Sequence, residues 1–457
     1  MSRVPKLLSV VGLVVVISSL VLIISLELAN LNDESLNPEV KRILDEKQLQ
    51  MDDAQNGYFT QIGVNGPDDV TPHTWGLRRL TAAIRADSNG RGVSDILADQ
   101  DKWRFHLPQG SPCKKIDHCL EEVAEHPDVA RRILAQAQSK LNRCDTTLDY
   151  SHYQEPKLPH TVLTSSIFVF PSGCRELQSI RFALAVAEHQ DELALTYLDD
   201  VIEFHTLQLQ GSISLLAKIV AILYLRYDYN LINQYLLLRP DESRKQISTI
   251  EKMLAPLNEK GRSLAVVLKS EFAYTANGML DIRRPIDSEN SANTENNSNE
   301  SLFEYVLFRL PYLPNATVNE YYSEFRPILN LEQSTGQAYS EHVMALETAK
   351  NAENRGSGKL YTLRNPAGHI LALIGRTDFL PYLRARDDLL ALRALVKFHL
   401  DIIARRITDS AEIEQALEQK KIFHRFTGKV CSWNKKDRTL YFKEDSASTG
   451  KMLAIRM

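Results

Sequence analysis

Residues 191–227 read DELALTYLDDVIEFHTLQLQGSISLLAKIVAILYLRY, and they decide the fold class. Leu195, Leu198, Ile202 and Leu209 recur three, four and seven residues apart, the spacing of one helix face. Gly211 and Ser212 then read as a helix stop followed by a new N-cap. Residues 213–225 are apolar on nearly every side and hold one charge, Lys218. Thirteen residues are too few for a membrane crossing and suit a buried core helix. Upstream, RELQSIRFALAVAEH (residues 175–189) has the same period. Three such helices with short joints predict antiparallel hairpins, as in a bundle or an irregular solenoid-like array. No fixed repeat period is present.

The pattern extends in both directions. Residues 117–143 place Leu120, Val123, Val129, Ile133, Leu134 and Leu141 on one face, with Pro127 dividing the run into two helices. Residues 74–86, 241–257, 261–276 and 376–406 are also expected to be helical. Pro38 stands near the start of a short helix. Asp409 or Ser410 caps another that runs to Gln419. NGYF at Asn56 reads as a turn, and residues 311–319 (PYLPNATVN) as irregular chain. Residues 288–301 (SENSANTENNSNES) lack any apolar side chain larger than alanine and are expected to be a disordered insertion. Asn296, Asn299 and Asn315 each open an N-x-S/T sequon. Residues 428–442 read as two short strands around NKKD, a β-hairpin. The fold class is therefore mainly α, with one small β element at the C-terminus.

The N-terminus speaks to location. Residues 7–26 (LLSVVGLVVVISSLVLIISL) carry no charge over twenty residues, enough to span about 30 Å of hydrocarbon. Arg3 and Lys6 precede the run, and no further Lys or Arg occurs before Lys41. The positive-inside rule then leaves residues 1–6 in the cytoplasm and exports the rest. A cleaved signal peptide would have a shorter core and a small-residue cleavage site, which SLELAN does not supply. The expected order is a cytoplasmic tail (1–6), a transmembrane anchor (7–26) and a stalk (27–55). A helical exported domain (56–410) and a tail of short helix plus hairpin (411–457) follow.

The 457 residues carry 54 Lys and Arg against 58 Asp and Glu, a net charge of −4. This whole-chain balance gives no nucleic-acid footprint. No P-loop, nucleophile elbow, HExxH, GxGxxG or EF-hand signature is present. No cofactor is implied.

Five cysteines remain, at 113, 119, 144, 174 and 431. SPCKKIDHC (residues 111–119) admits three readings. Zinc would use Cys113, Cys119 and His118, with His106, but five intervening residues fall outside the usual C-x2–4-C spacing. Thioredoxin-like redox chemistry needs C-x-x-C, which is absent. A disulfide closing a small loop fits an exported chain. Cys144 and Cys174 form a possible second pair, leaving Cys431 over.

Four polar residues within apolar helices are the weak candidates for catalysis: Glu203, His205, Lys218 and Glu271. Convergence in one pocket would mark a site with perturbed proton affinities. The ordinary reading places their stems in the core and their heads in water.

Short elements along the chain resemble an uncharacterised group of single-span proteobacterial inner-membrane proteins. They are NGYF at Asn56, C-x5-C-L from Cys113, PNATVN at Pro314, NPAGHIL at Asn365, and TGK…W…RTLYF from Thr427. The resemblance implies a bacterial inner-membrane anchor and a mostly helical periplasmic domain, and it supplies no activity. It also implies an aromatic residue where this chain has Cys144, which speaks against the second disulfide. The function expected is a membrane-anchored periplasmic binding or scaffold module with an envelope protein as partner. The alternative is a cell-envelope hydrolase built on the four polar residues.

Overall fold

The computed structural model describes residues 17–18, 21, 24–25, 28, 30–46, 53–88, 107–108, 110–114, 116–157, 172–282, 311–334, 336–353, 364–375, 377–442 and 453–457. Most of the expected anchor (7–26), the expected insertion (288–301) and the sequons at Asn296 and Asn299 lie outside these residues. Among the described residues no helix is long and apolar enough to cross a membrane.

The chain is mainly helical. In order come α1 (Pro38–Leu44), α2 (Gly57–Gly63), α3 (Pro72–Ser88), α4 (Cys119–Glu125), α5 (Pro127–Gln136) and α6 (Gln138–Asp145). The long helices α7 (Ser172–Ala187), α8 (Asp191–Gly211) and α9 (Leu215–Leu238) follow. Then come α10 (Pro240–Lys245), α11 (Ile247–Met253), α12 (Glu259–Arg262), α13 (Ala265–Asp281), α14 (Pro314–Leu331), α15 (Gly336–Glu353) and α16 (Pro366–Ile374). The last helices are α17 (Leu380–Ala404) and α18 (Ser410–Lys420). Strands β1 (Cys431–Asn434), β2 (Thr439–Phe442) and β3 (Ala454–Arg456) form one antiparallel sheet in that order. The expected hairpin is β1–β2, with Trp433 opposite Leu440; β3 adds an edge that its three residues were too few to announce.

Local chemistry accounts for the helix starts. Asn37, Asn56, Asn258 and Asp409 each accept a first-turn backbone N–H through their side chains. Proline occupies the first turn of α1, α5, α10, α14 and α16, where its missing N–H costs nothing. Three expectations are corrected here. NGYF is a helix start and not a turn, because the Asn56 side chain accepts from Tyr58 N. The stretch after Pro314 is α14 and not irregular chain, because proline at a helix start favours the helix it would break further in. The cap of α9 is Ser214, whose hydroxyl accepts from Ala217 N; Ser212 instead follows the end of α8 and bonds back to Gln208 O.

Two compact units emerge. Unit 2 comprises residues 48–268, 334–344 and 380–457. Its core joins α7, α8, α9 and α17 through Leu177, Ile180, Leu198, Ile222, Leu225 and Leu395, all at most 2% exposed. α9 is buried on most of its circumference, as its unbroken apolar pattern demands. The α2–α3 pair meets backbone to backbone: a Cβ on Gly76 would lie 1.9 Å from Phe59 O. Unit 1 comprises residues 1–47, 269–333 and 345–379. It is centred on an aromatic group in which Phe272 stacks on Tyr321, with ring centroids 5.3 Å apart, and Phe325 meets Phe379 edge-on.

Candidate functional site

The first group of interest lies between α8 and α9 in unit 2. His205 Nδ1 stands 2.7 Å from Asp228 Oδ2, with both side chains almost fully buried. Asp228 is held between Tyr227 and Tyr229 on α9, and the Tyr224 ring lies 4.9 Å from the imidazole. Burial pushes the Tyr224 hydroxyl up to about 12, against the pull of Arg175. Arg175, on α7, lies over the Tyr227 ring at 4.3 Å and pairs with Glu176 at 2.8 Å. One turn beyond His205, the fully buried Gln208 has no hydrogen-bond partner for either amide atom among the described residues. An unpaired buried amide costs about 1–3 kcal/mol, so α8 carries polar groups that its packing does not need.

A carboxylate bonded to one imidazole nitrogen fixes the ring's tautomer and aims the other nitrogen. That arrangement serves proton transfer where a reacting group can reach it. It equally serves to lock α8 to α9, since a buried imidazole and carboxylate need each other as partners.

The four candidates do not form one site. Glu203 is exposed, although it stands two residues from buried His205, because a two-residue step turns about 200° around the helix. Lys218 is 2% exposed, which corrects the expectation of a head in water. Its ammonium donates to Leu209 O at 2.6 Å and to Lys260 O at 2.9 Å, and Leu209 is in the last turn of α8, where helix carbonyls lack internal partners. Glu271 belongs to unit 1, whereas the other three belong to unit 2.

A second buried group was not singled out from the sequence. Arg386 and Asp387, neighbours on α17, are each 1% exposed. Arg386 donates to Tyr339 Oη and to Arg262 O, Tyr339 donates to Asp387, and Arg425 lies 4.0 Å over the Tyr339 ring. These polar groups close upon one another. The missed partners had one legible signal: charges in the middle of otherwise apolar stretches, as Asp228 is in YDY.

The cysteines resolve the ambiguity of residues 111–119. Cys113 and Cys119 are bonded, with Sγ atoms 2.00 Å apart, and Cys144 and Cys174 are bonded at 1.97 Å. The possible second pair, Cys144 and Cys174, is thus a bridge, despite the weight the resemblance set against it. Neither Cys113 nor Cys119 is therefore open to zinc as a thiolate. His118 turns to Glu121 at 3.1 Å, and His106 lies outside the described residues. Among the described residues no group of three metal-binding side chains is present. Cys431 is free and buried, and burial pushes its thiol up to about 12, far from a reactive thiolate.

The motifs that carried the resemblance are structural pins. Asn56 donates to Gln154 O and accepts from Gln154 N, tying the start of α2 to residues 152–154. In unit 1, Asn365 has a left-handed backbone, φ 54°, accepts from Leu313 N and donates to Thr317 Oγ1. Asn315 N and Ala316 N both donate to Asp33, so a chain-distant carboxylate caps α14. The fold and its sites thus define a mainly helical protein with two disulfides and a small antiparallel sheet. No family model, curated protein or solved structure matches the chain.

Proposed function

We propose that the chain is a disulfide-stapled helical binding module on the exported side of a bacterial inner membrane, anchored once by residues 7–26. The carrying observation is that four of five cysteines are paired while the fifth is buried. Two bridges in one unit, one closing a short loop before α4 and one joining α6 to α7, suit an oxidising compartment and would not persist in a reducing cytoplasm. The uncharged run at 7–26 behind Arg3 and Lys6 supports the same side of the membrane. The buried polar groups mostly bond one another, so recognition falls to the outer surfaces of the helices and the sheet. The partner in this reading is an envelope component.

The second reading, a cell-envelope hydrolase, would centre on His205 and Asp228, the imidazole–carboxylate pair in which both side chains are almost fully buried; His369–Glu320 and His424–Asp388 also orient an imidazole, but with a more exposed carboxylate. Substituting His205→Gln separates the two: a hydrolase loses its activity, whereas the module keeps its disulfides and partner.

The test of location is a reporter that is active only outside the cytoplasm, fused after residue 457, combined with alkaline extraction of membranes. Reporter activity in the extraction-resistant fraction is expected. An inactive reporter, or release of the chain by alkali, would overturn the anchored reading.

A further inference from the structure

The small sheet sorts its side chains by register. Cys431, Leu440, Phe442 and Ile455 are buried on the core side. The opposite side opens on Phe423 and Val430, cross-strand partners in an antiparallel bridge next to β1, which are 57% and 47% exposed. Directly paired residues project on the same side, so these two form one apolar protrusion. The same face continues through Ser432, Tyr441 and Ala454, and then Asn434, Thr439 and Arg456, with no acidic residue among them.

The charge around this protrusion is one-sided. Residues 420–438 hold seven Lys and Arg and one acid, Asp437, a local balance of +6. The whole chain carries −4, so all the other residues together carry −10. Lys420 pairs with Asp401 and Lys435 with Glu414, but their side chains are more than half exposed, and surface pairs of this kind hold weakly. Exposed Lys421 and Lys436 have no ion-pair partner among the described residues.

We propose that this face docks on an anionic phospholipid surface. Phe423 and Val430 enter the boundary between headgroups and acyl chains, and the exposed lysines of the same segment, Lys421 and Lys436 among them, meet the phosphates. An exposed apolar pair carried on a basic segment fits that boundary, where burial and charge attraction act together. A nucleic acid would match the charge but would leave Val430 without an apolar partner. The inference rests on the face itself and not on residues 7–26; an anchor would add only a bilayer close at hand.

The full chain held in phosphatidylcholine nanodiscs, so that any anchor is already occupied, is mixed with vesicles and floated. Recovery with phosphatidylglycerol vesicles, loss of recovery as salt rises, and little recovery with phosphatidylcholine vesicles are expected. K421E/K436E should weaken recovery more than about tenfold. F423S should weaken it while leaving the salt dependence in place. Both variants must keep two disulfides on a non-reducing gel and the helical circular dichroism of the parent. Equal recovery on the two lipids, or wild-type recovery of K421E/K436E, would overturn the proposal. So would binding of a single-stranded oligonucleotide with no recovery on phosphatidylglycerol. Alkaline extraction of native membranes reports on residues 7–26 independently, so failure of one reading is not failure of the other.

Discussion

Unit 2 is organised by α9, a helix buried on most sides among α7, α8 and α17, whereas unit 1 relies on aromatic stacking and on polar pins from residues 30–39. In the first, stability comes from apolar area, in which every neighbour shares. In the second, single side chains carry identifiable connections: Asp33 caps α14, Asn319 Oδ1 accepts from Asn37 N at 2.8 Å, and Tyr322 donates to Glu39 at 2.6 Å. Apolar packing fails in proportion to the volume removed, and a capped or pinned contact fails by one bond at a time.

The comparison can be broken first at its strongest point. Leu225→Ala empties a fully buried position on α9 and should destabilise unit 2 by about 2–5 kcal/mol, read by chemical denaturation. A loss below about 1 kcal/mol would mean that α9 is not the organising element. Cys144→Ser opens the bridge to Cys174, thirty residues away, and should cost about 2–4 kcal/mol by the same measurement.

Acid provides a third probe of unit 2. His399, buried and bonded to Asn233 at 2.8 Å, has its proton affinity lowered to about 4, first by burial and then by Arg438. A histidine with a depressed value is neutral in the fold, while the unfolded chain takes up a proton below about 6.5. Its contribution is therefore complete above pH 6.5 and is lost as the pH falls towards 4, by up to about 3 kcal/mol. His399→Gln should flatten that part of the stability profile; an unchanged profile would assign the acid sensitivity elsewhere.

The smallest effect belongs to unit 1. Asp33→Ala removes the acceptor for Asn315 N and Ala316 N and should cost about 0.5–2 kcal/mol. Hydrogen exchange should show it in the first turn of α14 and leave α9 unchanged. Faster exchange in α9 would show that the pins carry more than local order.

This contrast also explains what was legible in the sequence. The helices of unit 2 could be read because Leu195, Leu198 and Ile202 repeat at the helix period, and period survives without knowledge of partners. The start of α14 was misread although Pro314 signals it, because the carboxylate that caps it, Asp33, lies 282 residues before Asn315. The same reason hid the Asp228 partner of His205 and the Tyr339 partner of Asp387. A hydrogen bond between distant helices leaves no spacing to recognise. The Cys113–Cys119 bridge was legible because its loop is short; the Cys144–Cys174 bridge depended on how α6 and α7 come together. The basic face at residues 420–438 was concealed by a whole-chain charge near neutrality.

The proposed export of the chain requires that both bridges form in the cell. Thiols are trapped with an alkylating agent in intact cells, the protein is denatured in the same agent without reductant so that buried Cys431 also reacts, and adducts are counted by mass spectrometry. One adduct is expected, at Cys431, with the peptides around Cys113 and Cys119 and around Cys144 and Cys174 still joined. Three or five adducts would contradict it.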